Sequence, residues 1–298
     1  MSYPIVFPRT LAAGEDGMAT LTRPTPSLWV LRMHSGADNR ISSKMCSEVL
    51  LPALETVERE WRSIWSAAKR NKTGIKEGAE GGFVITGTGD KFFSNGLDYE
   101  NAIRQPGFMV GVLNPVLARL LSFPIPTVAA LNGHTFAAGY LLALACDYRV
   151  MTSGKAWASF NEIHFGAPLP PAFAALIRTK LGHAHPNIMR RTVLEGHRFT
   201  PPELLAAGAI DAIVDGKSFL FFNLIVRGVA SKCNTSSSCF PVLPAIATLS
   251  FLAFLPTHSS LAYICNPQAD TKKFWNELAR LLQPWDQMHE AELGVLSK

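Results

Sequence analysis

Residues 136–147 read FAAGYLLALACD: Ala137, Ala138 and Gly139, three residues with almost no side chain, open an apolar run that carries no charge until Asp147. Residues this small serve one of two ends. They let a helix pack closely against its neighbours, or they let a ligand reach backbone N–H groups at a helix N-terminus, where a developing oxyanion is stabilised. The triplet alone leaves both open. Several side chains of catalytic type read more plainly. Asp98 suits a turn and helix-capping carboxylate. His134 and His164 suit hydrogen-bonded structural histidines, since nothing pairs them at the spacing of metal ligands. Asn161 either orients its neighbour Glu162 or ends a strand.

The composition bounds what such a site could serve. A chain of 298 residues, 48% hydrophobic, can bury one large core or two modest ones. Its formal charge of +5 comes from 28 basic and 23 acidic residues that are scattered, with no Lys/Arg run to track a phosphate backbone. No nucleic-acid site is expected, while a mild positive bias suits an acidic or phosphorylated small substrate. Five cysteines form no CxxC pair and the first residues have no apolar signal core, which points to a reducing, intracellular compartment. Glu15 and Asp16 argue against a basic mitochondrial leader. The final Leu-Ser-Lys is not the peroxisomal Ser-Lys-Leu address, so the expectation is cytoplasmic or peroxisomal without a recognisable C-terminal signal.

Elements that could position these residues follow from periodicity. Residues 1–27, rich in Pro, Gly and Thr, read as an extended arm. LWVLRMH (28–34), GGFVITG (81–87), PTVAALNG (126–133) and DYRVMTS (147–153) read as buried strands. Between them, Met45, Val49, Leu50, Leu54, Val57, Trp61 and Ile64 recur at helical spacing after a Ser42–Ser43 cap, and GFMVGVLNPVLARLLSF (107–123) is helical again. Helices are also expected over 170–182, started by Pro and stopped by Gly182, over 186–196, and from Thr200, followed by a short strand. Strands alternating with helices imply right-handed crossovers and an α/β architecture with mostly parallel pairing.

After Gly216 the pattern changes. Residues 217–268 contain no Asp or Glu, and from Cys233 to Ala269 there is no charged residue at all. CFPVLPAIATLSFLAFLP (239–256) approaches the ~20 apolar residues that span a bilayer, but Pro241, Pro244 and Pro256 interrupt or border it and no basic cluster follows. A membrane segment is therefore disfavoured. The preferred reading is a retained intron, since Phe, Leu, Ser and Pro have pyrimidine-rich codons and Gly216–Ser218 can encode a splice donor. Residues 269–298 return to an amphipathic helical pattern.

Three stretches in order, GTGDKFFSNGLDYE (87–100), ALNGHTFAAGYLLALACD (130–147) and ASFNEIHFGAPLPPAF (158–173), each follow a strand. Together they resemble the enoyl-CoA hydratase/isomerase (crotonase) superfamily, over roughly Trp29 to Gly216. The resemblance implies a spiral of ββα units forming a core over 28–216, followed by a C-terminal helical region that is here disrupted after Gly216. It implies that the N–H groups of Leu97 and Ala138 hold a thioester oxygen, with Gly96, Ala137 and Gly139 admitting it, Gly139 equally explained by helix packing. Lys91 and Asp98 lie on the loop that meets the substrate, Lys91 near its CoA end. Hydratases of the family use two glutamates; here the first position is Leu141 and the second is Glu162, so Glu162 is the implied catalytic residue. One carboxylate matches the Δ3,Δ2-enoyl-CoA isomerases better than the hydratases, and Glu162 is expected to be desolvated with a raised pKa. No metal or cofactor is implied, CoA being part of the acyl-CoA substrate, and the family's homotrimer or hexamer is the expected assembly. The rivals are a 2-enoyl-CoA hydratase and an inactive acyl-CoA- or partner-binding protein of the same fold.

Overall fold

A computed structural model describes residues 2–11, 16–70, 81–182 and 187–214. The expectations for residues 217–268 and 269–298, including the apolar stretch 239–256, lie outside the described residues.

The strands most apolar in sequence are the most covered. β3 (Leu28–Met33), β4 (Gly82–Gly87), β6 (Thr127–Leu131) and β8 (Tyr148–Thr152) are buried along nearly their whole lengths, as parallel strands covered on both faces must be. With β1 (Ile5–Phe7), β2 (Ala19–Thr25) and β10 (Ala212–Val214) they form a seven-stranded sheet of order β1-β2-β3-β4-β6-β8-β10. Pairing is antiparallel from β1 to β3 and parallel from β3 to β10. A second, three-stranded parallel sheet runs β5 (Phe92–Ser94), β7 (His134–Phe136), β9 (Ala158–Ser159).

The chain climbs both sheets together. β4 leads to β5 and then to α2 (Tyr99–Ala102), a π-helical segment (Phe108–Leu113) and α3 (Asn114–Leu121). β6 leads to β7 and α4 (Ala138–Ala145); β8 leads to β9, a 3₁₀ turn (Glu162–Phe165) and α5 (Pro171–Leu181). Each circuit advances one strand in each sheet, which is the spiral of ββα units. α6 (Ile188–Val193) and α7 (Pro201–Ala206) follow, the latter opened by a Thr200–Glu203 capping box. Alternate residues of the large sheet divide its burial: Trp29, Leu31, Phe83, Ile85, Ala129, Leu131 and Met151 join the main core, and Leu28, Val30, Val84, Val128, Ala130 and Val150 form a smaller cluster on the opposite face.

The long helix over Met45–Arg70 starts where expected, Ser42 Oγ accepting the Met45 N–H at 3.1 Å, but its first turn is π-helical (Met45–Leu50) before α1 (Leu51–Arg70). The reading of residues 1–27 as an arm needs correction. Residues 5–7 and 19–25 are edge strands of the large sheet, because Ile5, Phe7, Ala19 and Leu21 are apolar enough to be buried in the main core. Tyr3 reinforces them: its hydroxyl donates to Glu60 Oε2 at 2.5 Å and accepts from the Trp29 indole at 3.1 Å, tying the strands to α1.

Candidate active site

The loop after β5 packs against the front of α4, Gly96 lying by Ala137 and Ala138 and Gly139 by Ser94. Ser94 Oγ donates to the Asn39 carbonyl at 2.7 Å, Asn39 Nδ2 donates back to Phe93 O at 3.2 Å, and Asn95 Nδ2 donates to Asp38 Oδ2 at 2.9 Å. The strand is stitched further by Ile41 N–H to Gly96 O at 2.8 Å and Asp98 N–H to Ile41 O at 3.0 Å. Leu97 is thereby held rigidly. Its own N–H and that of Ala138 donate no hydrogen bond among the described residues.

Gly96 brings these two donors together. It adopts φ +92°, and a methyl group placed on it would lie 2.8 Å from Ala137 Cβ and 3.5 Å from the Ala138 nitrogen. Gly139 makes the next contact: a methyl there would lie 2.7 Å from Ser94 Cβ, so α4 rests directly on β5. Gly139 thus packs the helix, and the Ala138 N–H stands at its start without an acceptor among the described residues.

Ala137 carries strain. Its φ of 49° and ψ of −122° fall where glycine is at ease and a Cβ is not, while its N–H donates to Ser159 O at 2.9 Å. The pairing on both sides fixes this geometry. Ala137→Gly is expected to raise unfolding stability by about 1 kcal/mol, the relief of a left-handed conformation less the added entropy of the unfolded chain. Denaturant unfolding of the two proteins measures it, and a less stable glycine variant would show that the methyl packs more than it strains.

From Ser159 the chain runs to Glu162, the first residue of the 3₁₀ turn. Phe160 stacks on Tyr140 of α4 with ring centroids 5.0 Å apart, and Ala167 N–H donates to Glu162 O at 3.1 Å. Glu162 Oε2 is buried and accepts no hydrogen bond among the described residues, and desolvation pushes its carboxyl above the ordinary glutamate range despite an opposing backbone hydrogen bond. Phe165, at the end of the turn, meets Tyr99 edge-on at 5.5 Å. Tyr99 is two residues from Leu97. The Tyr99–Phe165 contact links the loop that carries Leu97 to the turn that opens with Glu162; two unbonded backbone donors and a desolvated carboxylate are the kinds of group that can stabilise an enolate oxygen and move a proton.

The remaining candidates divide. Leu141 is fully buried in the core, which explains its apolar character but gives it no exposed surface for a ligand. Asp98 precedes α2, its carboxylate accepting from Asn101 Nδ2 at 2.7 Å, so it organises the loop as a turn carboxylate, although it makes no side-chain bond to the helix backbone. Lys91 is exposed with Nζ 5.4 Å from the Phe92 ring centre. His134 lies flat against Phe136 and Trp157, at 5.5 and 4.8 Å, and Nδ1 accepts the Trp157 N–H at 3.2 Å. Burial, then Lys155, Lys91 and Arg198, hold it below the usual histidine range. His164 Nε2 lies 3.3 Å from Gly196 O, and Ser159 Oγ donates to the same carbonyl at 3.0 Å. Asn161 opens the 3₁₀ turn with its carbonyl, not its side chain.

Asn39, Ser94, Ser159 and Gly196 were invisible as parts of the site. Only the Asn39–Arg40 turn left a trace in sequence, because the others act through partners more than thirty residues away. Among the described residues no cluster of three His, Cys, Asp or Glu could hold a metal ion, and no helix is long and apolar enough to cross a membrane.

Residues 76–223 match the family model described as enoyl-CoA hydratase/isomerase. Over those residues, just under half of the chain, it is similar to the enoyl-CoA hydratase/isomerase family.

Similarity to individual family members falls in the same region. The chain is 38% identical over 144 residues to enoyl-CoA delta isomerase 3 of Arabidopsis thaliana, covering 46% of this chain and 59% of the relative. It is 35% identical over 145 residues to the peroxisomal enoyl-CoA delta isomerase 2 of the same plant, covering 46% and 60%. It therefore spans about three-fifths of the length of these curated relatives. Among solved structures of the family, a probable enoyl-CoA hydratase from Mycobacterium tuberculosis superposes with a TM-score of 0.59 at 20% identity, covering 94% of this chain and 98% of that one. An enoyl-CoA hydratase/carnitine racemase from Magnetospirillum magneticum gives 0.59 at 17% identity, covering 89% and 92%. At such identities the likeness shows the crotonase fold, and the spiral above is that fold.

Proposed function

We propose that the protein moves the double bond of a 3-enoyl-CoA to the conjugated 2-trans position. The observation that carries this reading is the desolvated carboxylate of Glu162, whose buried Oε2 accepts no hydrogen bond among the described residues, in a chain whose Leu97 and Ala138 N–H groups are likewise unbonded there and whose residue 141 is a buried leucine. The thioester oxygen accepts from both N–H groups. Glu162 takes a proton from C2, the negative charge passes to that oxygen, and the C3–C4 double bond becomes C2–C3 as Glu162 returns the proton to C4. Two fixed donors aimed at the enolate oxygen supply several kcal/mol in the transition state. The step moves one proton and needs no oxidant or reductant, so no cofactor beyond the CoA of the substrate enters the proposal. The names of the Arabidopsis isomerases support the same choice within the family, and two of them carry the word peroxisomal, which favours that compartment over the cytoplasm. A homotrimer or hexamer remains the proposed assembly.

Product analysis by NMR tests the reaction. Incubation with trans-3-hexenoyl-CoA is expected to give conjugated product, and trans-2-hexenoyl-CoA is expected to stay unhydrated. Hydration of the second would assign a hydratase with another acid in place of Leu141, and inactivity toward both would assign a binding protein of this fold.

The pH dependence follows from the same carboxylate. Because burial raises the Glu162 pKa, the base is lost to protonation earlier as pH falls than an exposed glutamate would be. The acid limb of kcat/KM is expected to have its midpoint above the usual glutamate value of about 4.3. A midpoint at or below that value would remove Glu162 as the base.

A further inference from the structure

The turn Glu162–Phe165 is a single 3₁₀ turn and buries none of its residues completely. A segment that short does not fix a side chain unaided. It rests on the loop between α6 and α7, and the contact is made at Gly196. The Gly196 carbonyl accepts Ser159 Oγ at 3.0 Å, from the end of β9, and lies 3.3 Å from His164 Nε2 within the turn. A carbonyl only accepts, so His164 makes that contact with the proton on Nε2. The Gly196 α-carbon is pressed as closely: a methyl placed there would lie 2.6 Å from His164 Nε2 and 2.9 Å from Ile163 Cγ2, and its φ of +56° also calls for glycine. The loop is itself fixed. Ala158 and Phe199 exchange both backbone hydrogen bonds, at 3.0 and 2.9 Å, which joins it to β9. Arg191 of α6 lies over the Phe199 ring at 4.9 Å, accepts the His197 N–H on its carbonyl at 3.0 Å, and donates through Nη2 to Glu203 Oε1 at 2.7 Å. Glu203 in turn accepts the Thr200 N–H and hydroxyl at the start of α7. Gly196 is therefore held from two helices and a strand.

We propose that Gly196 is a positioning residue for Glu162: the loop between α6 and α7 sets where the carboxylate stands, through a carbonyl bonded to Ser159 and His164 and an α-carbon bare enough for the turn to lie on it. The inference rests on the reading of Glu162 as the base. Gly196 acts through the turn and takes no part in the chemistry itself. A reacting group displaced by about 1 Å loses on the order of 10²-fold in rate. A turn lifted from its seat also admits water to a carboxyl whose pKa is raised by burial alone.

Steady-state kinetics of the full 298-residue chain with trans-3-hexenoyl-CoA tests this. Gly196→Ala is expected to lower kcat by about 10- to 100-fold, to leave KM unchanged because the Leu97 and Ala138 N–H groups stay in place, and to bring the acid-limb midpoint of kcat/KM down toward the ordinary glutamate value. Gly208→Ala adds a methyl at φ +70° with no atom within 4 Å, so it imposes backbone strain alone and is expected to keep the wild-type kcat and midpoint. The exposed His164 gives a second test that leaves the core intact. His164→Leu removes the donor and is expected to cost about tenfold in kcat, while His164→Gln keeps an N–H of similar reach and is expected to restore most of it. A kcat loss in Gly196→Ala no greater than that in Gly208→Ala would overturn the seat. So would a raised KM at unchanged kcat, which would make the loop a binding element. If Gly196→Ala does not fold, the histidine variants decide: rescue by glutamine upholds the seat, and a leucine variant as active as wild type, or a glutamine variant as impaired as the leucine one, overturns it. Glu162→Gln separates this from the reading beneath it. If that variant keeps turnover, base and seat fall together; if it loses turnover while Gly196→Ala keeps it, only the seat falls.

Discussion

Replacing Glu162 by glutamine is expected to lower isomerisation of trans-3-hexenoyl-CoA by about 10³-fold, within the range contributed by a positioned general base. The substitution keeps the shape of the side chain and removes its capacity to take a proton, which the proposed reaction needs. The N–H groups of Leu97 and Ala138 are backbone and stay in place, so affinity for a saturated acyl-CoA is expected to change less than threefold. A second consequence follows from the same burial. Glu162 has a higher pKa folded than unfolded, so its contribution favours the native state below the unfolded pKa and is lost as pH rises through the folded one. The buried charge, once formed, thus opposes folding. Glu162→Gln is expected to melt at a higher temperature than the wild type at pH 7 and at the same temperature near pH 3. A variant that loses stability at pH 7 and retains turnover would mark Glu162 as a structural acid.

Much of the architecture was legible because its signals are local. The parallel strands announce themselves as short apolar runs, β4 bounded by glycines and β6 by Pro126 and Gly133, and α5 and α7 carry Pro at their starts. What escaped depends on long-range pairing. Residues 1–27 look like an arm because they are rich in Pro, Gly and Thr, yet Ile5, Phe7, Ala19 and Leu21 alternate so as to fill one sheet face. The π-helical turns at Met45–Leu50 and Phe108–Leu113 leave no mark in hydrophobic spacing that distinguishes them from α-helix.

The site shows the same division. Its small residues and Glu162 stand out by type and order, through the three stretches that follow strands. The scaffold around them does not, because Ser94 and Asn39 bond through their side chains to backbone atoms of distant segments and the Gly196 carbonyl accepts from the distant Ser159 side chain, and nothing in their own neighbourhoods requires it. Tyr140 is a further case. It reads as one apolar residue in a run, and its hydroxyl is fully buried and without a hydrogen-bond partner among the described residues. Burial raises its pKa and keeps it neutral, which makes it compatible with the core beside Phe160.

Gly96→Ala is expected to lower kcat by 10²- to 10³-fold, about what losing one oxyanion donor costs. Two features of Gly96 combine. Its φ of +92° disfavours any side chain, and the new methyl would fall 2.8 Å from Ala137 Cβ and 3.1 Å from Phe136 O. The loop or the front of α4 must give way, which moves the Leu97 N–H relative to that of Ala138. In the proposed reaction both reach one oxygen, so a shift of a few tenths of an ångström degrades the pair without exposing the core. Stability is expected to fall by about 1–3 kcal/mol from the backbone conformation. Gly208→Ala separates the two effects: Gly208 has φ +70° with no atom within 4 Å of the added methyl, so it imposes similar strain far from the donors. It is expected to cost comparable stability and to leave kcat unchanged. If Gly96→Ala loses no more activity than Gly208→Ala, the closeness of Leu97 to Ala138 has no catalytic consequence, and the oxygen of the thioester is held elsewhere.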